Sequence, residues 1–253
     1  MSKLIKRFNW RFIIGSFLLI TVFGLSWASF KWSSYTHLNM LDEIEIQGAN
    51  IISEKEYFDT ISSLIGISIT EIDTREVGLL LESHPFVHAA RVSKNYPNKL
   101  IIEIAERQPI ALLNMKPILF VDNEGVVLPD LGNVDDQIIP IMSGFNSALE
   151  LYPIGHQTVS VKVLESVSTI DQIIKLYPRL YDNLSEITLN VNDEFVLILS
   201  DYPTKIILGK ERILEKIQIL NSFEKALPVN NRLDHFNLLD LRYKRQVIAR
   251  VRA

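Results

Sequence analysis

With 253 residues, 47% of them hydrophobic and 22% charged, the chain is composed like a folded protein of one large domain or two small ones. Lys3, Lys6, Arg7 and Arg11 stand in residues 1–11 without an acid. They leave −8 on the rest of a chain whose formal net charge is −4, which argues against a nucleic-acid-binding surface spread over the main body. There is no cysteine, hence no disulfide, no thiolate nucleophile and no Cys-ligated zinc.

The first element is "FIIGSFLLITVFGLSWASF", 19 uncharged residues between Arg11 and Lys31. As a helix this stretch spans about 28 Å, close to the hydrocarbon thickness of a bilayer. A transmembrane helix over 12–32 is expected, bracketed by Trp10 and Trp32 as interfacial anchors. The cations put the tail 1–11 in the cytoplasm and the bulk of the chain outside. The rival reading is a cleavable signal peptide, with Ser26 and Ala28 at the small positions of its cleavage site. The apolar stretch is longer than a usual signal core and no polar break follows it, which favours the anchor. Gly24 and Ala28 form a small-xxx-small pair, a pattern also found at ordinary lipid-facing positions.

After a polar joint (33–39), "LDEIEIQGAN" alternates with Ile44 and Ile46 on one face, a half-buried strand closed by Gly48. "SEKE" at 53–56 reads as a capping box. The helix behind it carries Tyr57, Ile61, Leu64 and Ile65, and Gly66 stops it. Asp73 caps a second helix whose predicted buried side is Val77, Leu80 and Leu81. Strands follow at 86–92 and, after the turn "NYPN", at "KLIIEIAER", where Leu100, Ile102 and Ile104 face away from Glu103 and Arg107. The order β-α-α-β-β over residues 41–107 is a small α+β unit.

Pro109 opens a strand-rich second region, 108–253, and the joint Arg107-Gln108-Pro109 has no Gly/Ser linker, so it is expected to be stiff. "LFVDNEGVVL" predicts a hairpin around Asp-Asn-Glu-Gly, and "IIPIMSG" a short strand or crossover. Residues 163–181 read as a helix with Val167, Ile170, Ile174 and Leu176 on or near one side. "EITLNVN" alternates through Ile187, Leu189 and Val191, and "EFVLILSD" and "KIILG" follow as strands around a turn at Pro203. A helix over about 210–227 turns Ile213, Ile217, Leu220 and Phe223 inward, and "FNLLDLRY" and "QVIARV" close the chain. The second region is thus a β-sheet with two helices.

The candidate chemistry is sparse. His84 and His88 stand four apart, a spacing that joins two imidazoles only on a helix. Pro85 between them denies the helical conformation to His84, and in a strand residues four apart lie about 13 Å from each other. Glu103 and Glu106 fall on opposite faces of their strand. Asp135-Asp136 and Asp193-Glu194 occur in turn-like contexts, where carboxylates are usually solvated. No H-E-x-x-H, nucleophile-elbow G-x-S-x-G, Walker loop or dinucleotide glycine motif occurs. No catalytic residue, cofactor or metal site is expected.

The stretch "IEIQGAN", followed by "HPFVHAARVSKNYPNKLIIEIAERQPIA", resembles the POTRA domain of the FtsQ/DivIB bacterial cell-division proteins. "FVDNEGVVLP", "IPIMSG", "SEITLNVNDEFVLILSDYPTKIILGK" and "LLDLRY" resemble that family's second, β domain. The likeness spans about 240 residues, and it rests on the order and spacing of motifs that are individually weak. It implies a non-enzymatic single-pass protein of the divisome, at the cell membrane and the division septum. It also implies binding of the small single-pass partners FtsB and FtsL, by an edge strand after "DLRY", and of other division proteins through the POTRA domain and the membrane helix. Carried onto this sequence, the partner-binding residues are Arg242 and Tyr243, then Val247, Ile248, Ala249, Arg250 and Val251. The sequence departs from many relatives in that no aromatic residue follows Tyr243 before Ala253. Two other classes stay open: a POTRA-bearing component of a transport or outer-membrane assembly system, and a membrane-anchored wall hydrolase. The first usually shows several POTRA repeats, and the second needs a catalytic constellation.

Overall fold

A computed structural model of the chain describes residues 10–35, 39–130, 132, 139–228, 232–244 and 246–252. Lys3, Lys6, Arg7, His37 and Asp135-Asp136 lie outside the described residues. The fold is α+β, with an N-terminal apolar helix, a β-α-α-β-β unit and a β-sheet domain with helices. Helix α1, Trp10–Tyr35, contains the apolar stretch Ile14–Trp32, long enough to cross a membrane and with its described side chains exposed. The rest divides into two compact units, one of residues up to 81 with 89–105, the other of 82–88 with 106–253.

In the first unit β1 (Glu43–Gln47) pairs in parallel with β3 (Lys99–Glu106), and β2 (Val87–Asn95) completes a three-stranded sheet in the order β1-β3-β2. Parallel neighbours need a crossover, and α2 (Glu54–Ile61) and α3 (Thr74–Glu82) lie within it. Both helices start where local chemistry directs. Ser53 Oγ accepts from the Glu56 amide at 3.3 Å, and Asp73 Oδ1 from the Arg75 amide at 2.8 Å. Tyr57, Ile61, Ile69, Leu81, Leu100 and Ile102 are buried side chains of this unit.

Two expectations change here. The α2 helix ends at Ile61 and tightens into a 3-10 turn, Ser62–Leu64, which leaves Ile65 exposed. On α3 the inner positions are Val77, Gly78 and Leu81, while Leu80 is 47% exposed. A Cβ at Gly78 would stand 3.4 Å from the Ala90 carbonyl, in ordinary van der Waals contact, so this face of the helix lies close against the strand.

The second unit holds a nine-stranded sheet in the order β12-β11-β10-β9-β8-β7-β4-β5-β6. Its strands are β4 (Pro109–Leu113), β5 (Leu119–Asp122), β6 (Val127–Pro129), β7 (Ile141–Ser143), β8 (Leu184–Leu189), β9 (Phe195–Leu199), β10 (Lys205–Gly209), β11 (Phe236–Asp240) and β12 (Ile248–Val251). The parallel joints β7–β8 and β10–β11 dictate helical crossovers. The first is α4 (Val161–Leu176) with α5 (Pro178–Asp182), the second α6 (Ile213–Ala226). Helices α4 and α6 pack on each other, and Val163, Val167, Ile170 and Ile173 of α4 with Ile217 and Leu220 of α6 join Ile187, Phe195, Leu197, Ile206 and Leu208 in one core.

The predicted helix 163–181 is two helices, because Pro178 lacks the amide to continue the ladder and Tyr177 before it leaves the helical region. Ile174 is half-buried and Leu176 exposed. Val191 is fully exposed, since β8 ends at Leu189 and Asn190 Oδ1 collects the amides of Asn192 and Glu194 into a turn. Strand β4, hidden behind Pro109 in the sequence, pairs with both β5 and β7.

Gly48 ends β1 at φ +87°, and a Cβ there would meet the Ile104 carbonyl oxygen at 2.1 Å. The Gly48→Ala change is expected to destabilise the first unit by more than about 2 kcal/mol. Thermal unfolding followed by far-UV circular dichroism measures it; an unchanged transition contradicts the close approach.

Candidate functional site

The histidines of the sequence reading stay apart from any shared ligand set. His84 Nδ1 accepts from the Phe86 amide at 3.3 Å, and His88 Nδ1 lies 3.5 Å from Glu124 Oε2 at an exposed site. Glu103 faces Arg91 at 3.6 Å on the surface. Among the described residues no three His, Asp or Glu side chains gather as a metal-binding group. The most buried carboxylate near them, Asp122, is built into the β5–β6 hairpin. It accepts from the Glu124 and Val126 amides at 2.9 and 2.8 Å and from Arg107 at 2.7 Å. Arg107 also holds Glu124 at 2.8 Å, which keeps the Glu124 carboxyl below the usual carboxylate range. These groups fix a turn.

The two edges of the nine-stranded sheet differ. At the β6 edge the segment 154–158 lies alongside: the Val127 amide donates to His156, the Gly155 amide to Val127 and the Thr158 amide to Gly125, all at 2.8–2.9 Å. Pro129 closes that strand without a donor. The opposite edge is β12, paired antiparallel to β11 with Ile248 opposite Asp240, Ala249 opposite Leu239 and Arg250 opposite Leu238. Every side chain of β12 is exposed, from Ile248 at 49% to Val251 at 65%.

The direction of its backbone groups follows from two hydrogen bonds. The Leu241 amide donates to Ile207 on β10, so alternation turns Leu239 towards β10, and Asp240 and Leu238 towards β12. The Arg252 amide donates to the His235 carbonyl, so Arg250 and Ile248 also face inward. Both bonds leave the N–H and C=O of Ala249 and Val251 pointing away from the sheet.

With no buried side chain, β12 is held by its ladder to β11, and charged contacts flank it on either side. Arg242 makes a bidentate fork onto Asp240, Nε to Oδ1 at 3.0 Å and Nη2 to Oδ2 at 2.6 Å, and its amide reaches Oδ1 at 3.0 Å. Its Nη1 extends to Glu194 in the β8–β9 turn at 3.4 Å. Asp240 is nearly buried, and the Arg242 hydrogen bonds hold its carboxyl below the ordinary range, while Asp240 raises the guanidinium pKa. Gly209 at φ +83° makes room: a Cβ there would lie 3.2 Å from Arg242 Cγ and from Lys216 Nζ. Burial lowers the Lys216 pKa. At the far end, Arg252 Nη2 donates to the Phe236 carbonyl at 3.2 Å and Nε to that of Asp234 at 3.3 Å, with the guanidinium 5.3 Å over the Tyr202 ring.

All seven residues named from the sequence therefore lie at this end of the sheet, in different settings. Ile248, Ala249, Arg250 and Val251 form the strand. Tyr243 is 52% exposed in the connection before it, and Val247 is half-buried against the core. Arg242 is tied down by its salt bridges. Beside Tyr243 lies a hollow of about 150 Å³ lined by Arg212, Lys216, Arg242 and Lys244 together with Glu211 and Glu215. Asp240, Glu194 and Arg252 were missed. The Asp-x-Arg spacing of 240–242 in an extended chain, which puts both side chains on one side, was the available signal for the first.

A family model described as FtsQ/DivIB, C-terminal related, matches residues 108–250, and one for a POTRA domain of FtsQ type matches 40–107. Proteins named cell division protein FtsQ are similar over most of the chain. The one from Syntrophotalea carbinolica is 24% identical over 221 residues, 84% of this chain and 74% of the relative. That of Geobacter sp. strain M21 is 25% identical over 88% and 80%, and that of Geotalea daltonii 23% over 94% and 86%.

The Asp240–Arg242 tie sets a sign for pH. A carboxyl whose pKa is depressed on folding stabilises above its unfolded value of about 3.9, and the contribution fades as pH falls through the lower folded value. Asp240→Ala is expected to cost about 1–2 kcal/mol at pH 7, after allowance for screening of the partly exposed Arg242. Urea unfolding of the full chain in detergent measures it. The gap between wild type and variant should persist to pH 5 and shrink progressively as pH falls through about 3.9 and below; a gap independent of pH contradicts the assignment.

Proposed function

The chain belongs to the FtsQ/DivIB family of bacterial cell-division proteins, and from that membership we propose that it is a non-enzymatic, single-pass scaffold of the divisome. On this reading α1 anchors it in the cell membrane with the N-terminus cytoplasmic. The two folded units stand outside, at the septum, where they hold other division proteins together. The partner captured by the second unit is of the FtsB/FtsL type, a small single-pass protein that contributes a strand. Other division proteins meet the first unit and α1.

The observation that carries the proposal is the open edge of β12. Added strands take affinity from backbone hydrogen bonds and specificity from alternate side chains. Ala249 and Val251 offer two N–H and two C=O groups outward, so up to four bonds form. At about 0.5–1.5 kcal/mol net each, these supply about 2–6 kcal/mol. Micromolar affinity needs about 8 kcal/mol, so the strand alone is too weak and side chains must add the rest. Tyr243, Ile248 and Val251 are the exposed apolar groups in position to do so. Charge selects further: Arg242, Lys244, Arg245, Arg250 and Arg252 follow Asp240 with no acid among them. An acidic segment fits that edge and the hollow beside Tyr243, and a second copy of the same edge does not.

The test separates the outer from the inner ladder. Ala249→Pro removes an outward N–H at an edge position, where proline is tolerated. It is expected to weaken co-purification of the FtsB-type partner at least about tenfold while the sheet stays intact. Ile248→Pro breaks the β11 ladder, and it and deletion of 244–253 should abolish capture with the first unit still folded. Undiminished partner recovery from all three would sink the proposal.

A further inference from the structure

The first unit carries an uncharged surface where the chain leaves α1. Residues 60–70, "TISSLIGISIT", hold no charged side chain between Asp59 and Glu71, and 32–41 hold none between Lys31 and Asp42 apart from the neutral His37. The fold zips these stretches together. The Leu41 amide donates to Ile67 at 2.8 Å, the Gly66 amide to Leu41 at 2.9 Å and the Ile69 amide to Asn39 at 2.8 Å, with Met40 opposite Ser68. Leu41 and Ile69 turn into the core, while Met40, Ile65 and Ile67 are each about two-fifths exposed. The exposed Leu79 and Leu80 of α3 differ, because Arg75, Glu76 and Glu82 flank them on the same short helix.

Chain length says what can cover this surface. Helix α1 continues three residues past Trp32, about 4.5 Å, to Tyr35. Met40 follows five residues later, at most about 18 Å away even if the connection is fully extended. The polar layer of each leaflet is itself about 5–8 Å deep. We infer that Met40, Ile65 and Ile67 form a membrane-contact surface, seating the 39–41/65–69 ladder on the headgroup layer of the leaflet from which the chain emerges. An uncharged, Ile-bearing turn suits that site because its own side chains carry no charge to desolvate.

The inference rests on α1 being a membrane anchor, and the test distinguishes the two. The chain has no cysteine, so single-cysteine variants of the full chain can be labelled with a fluorophore. The labelled protein is then reconstituted into phosphatidylethanolamine/phosphatidylglycerol vesicles carrying nitroxide lipids. A label at Leu25→Cys reports the span, labels at Ile65→Cys and Ile67→Cys report the surface, and a label at the fully exposed Val191→Cys reports solvent. Headgroup nitroxide should remove most of the emission at 65 and 67 and little at 191, with acyl-chain nitroxide quenching at 25. Quenching at 25 but no more at 65 and 67 than at 191 overturns the inference alone. Loss of quenching at 25 overturns the anchor as well. Protection of 65 and 67 from an aqueous quencher only in cells, and not in vesicles, assigns the surface to a protein and likewise overturns it.

Discussion

Every backbone N–H and C=O in a sheet must find a partner, and the two edges of the nine-stranded sheet meet that demand differently. At β6 the chain returns along 154–158 and satisfies the strand from within. At β12 no described residue pairs with the outer side, and the outward groups of Ala249 and Val251 are open to solvent or to another chain. The sheet's core lies under β4 to β11, and β12 contributes no side chain to the interior.

This division of labour explains why charge matters at this end of the molecule. Apolar burial holds β4 to β11 in place, worth about 25 cal/mol per Å², and β12 has little of it. Its position depends on the ladder to β11 and on the contacts of Arg252 just beyond its end, which leave both faces free. The same cations discourage two copies of the edge from pairing, because like charges would lie directly opposite. A strand held this way is available to a partner without unfolding anything.

Much of this was legible in the sequence. The β-α-α-β-β order, both N-caps, the hairpin at Asp-Asn-Glu-Gly and the inner faces of β3 and α6 follow from periodicity and turn chemistry. The failures have physical causes. Leu80 reads as core because apolar spacing alone cannot show that the helix turns Val77, Gly78 and Leu81 inward instead. Val191 continues an alternation that Asn190 ends by capturing two amides. Positions 242, 243 and 247–251 could be named by resemblance, but their exposure could not be read. A period of two says which residues share a face, never whether anything covers it. Arg252 went unnoticed because its partners, Asp234, Phe236 and Tyr202, are brought to it by the fold, whereas the partner of Asp240, Arg242, stands only two residues away.

The central claim is that β12 presents a free ladder at Ala249 and Val251 while Ile248 and Arg250 are committed to β11. Amide-resolved hydrogen exchange of the full chain, with and without an FtsB-type partner, tests it most directly. The account predicts slow exchange at Ile248 and Arg250 and fast exchange at Ala249 and Val251 in the free protein, with protection gained at the latter two on binding. Equal exchange along all four amides, or partner binding that leaves Ala249 and Val251 as fast as before, would contradict it.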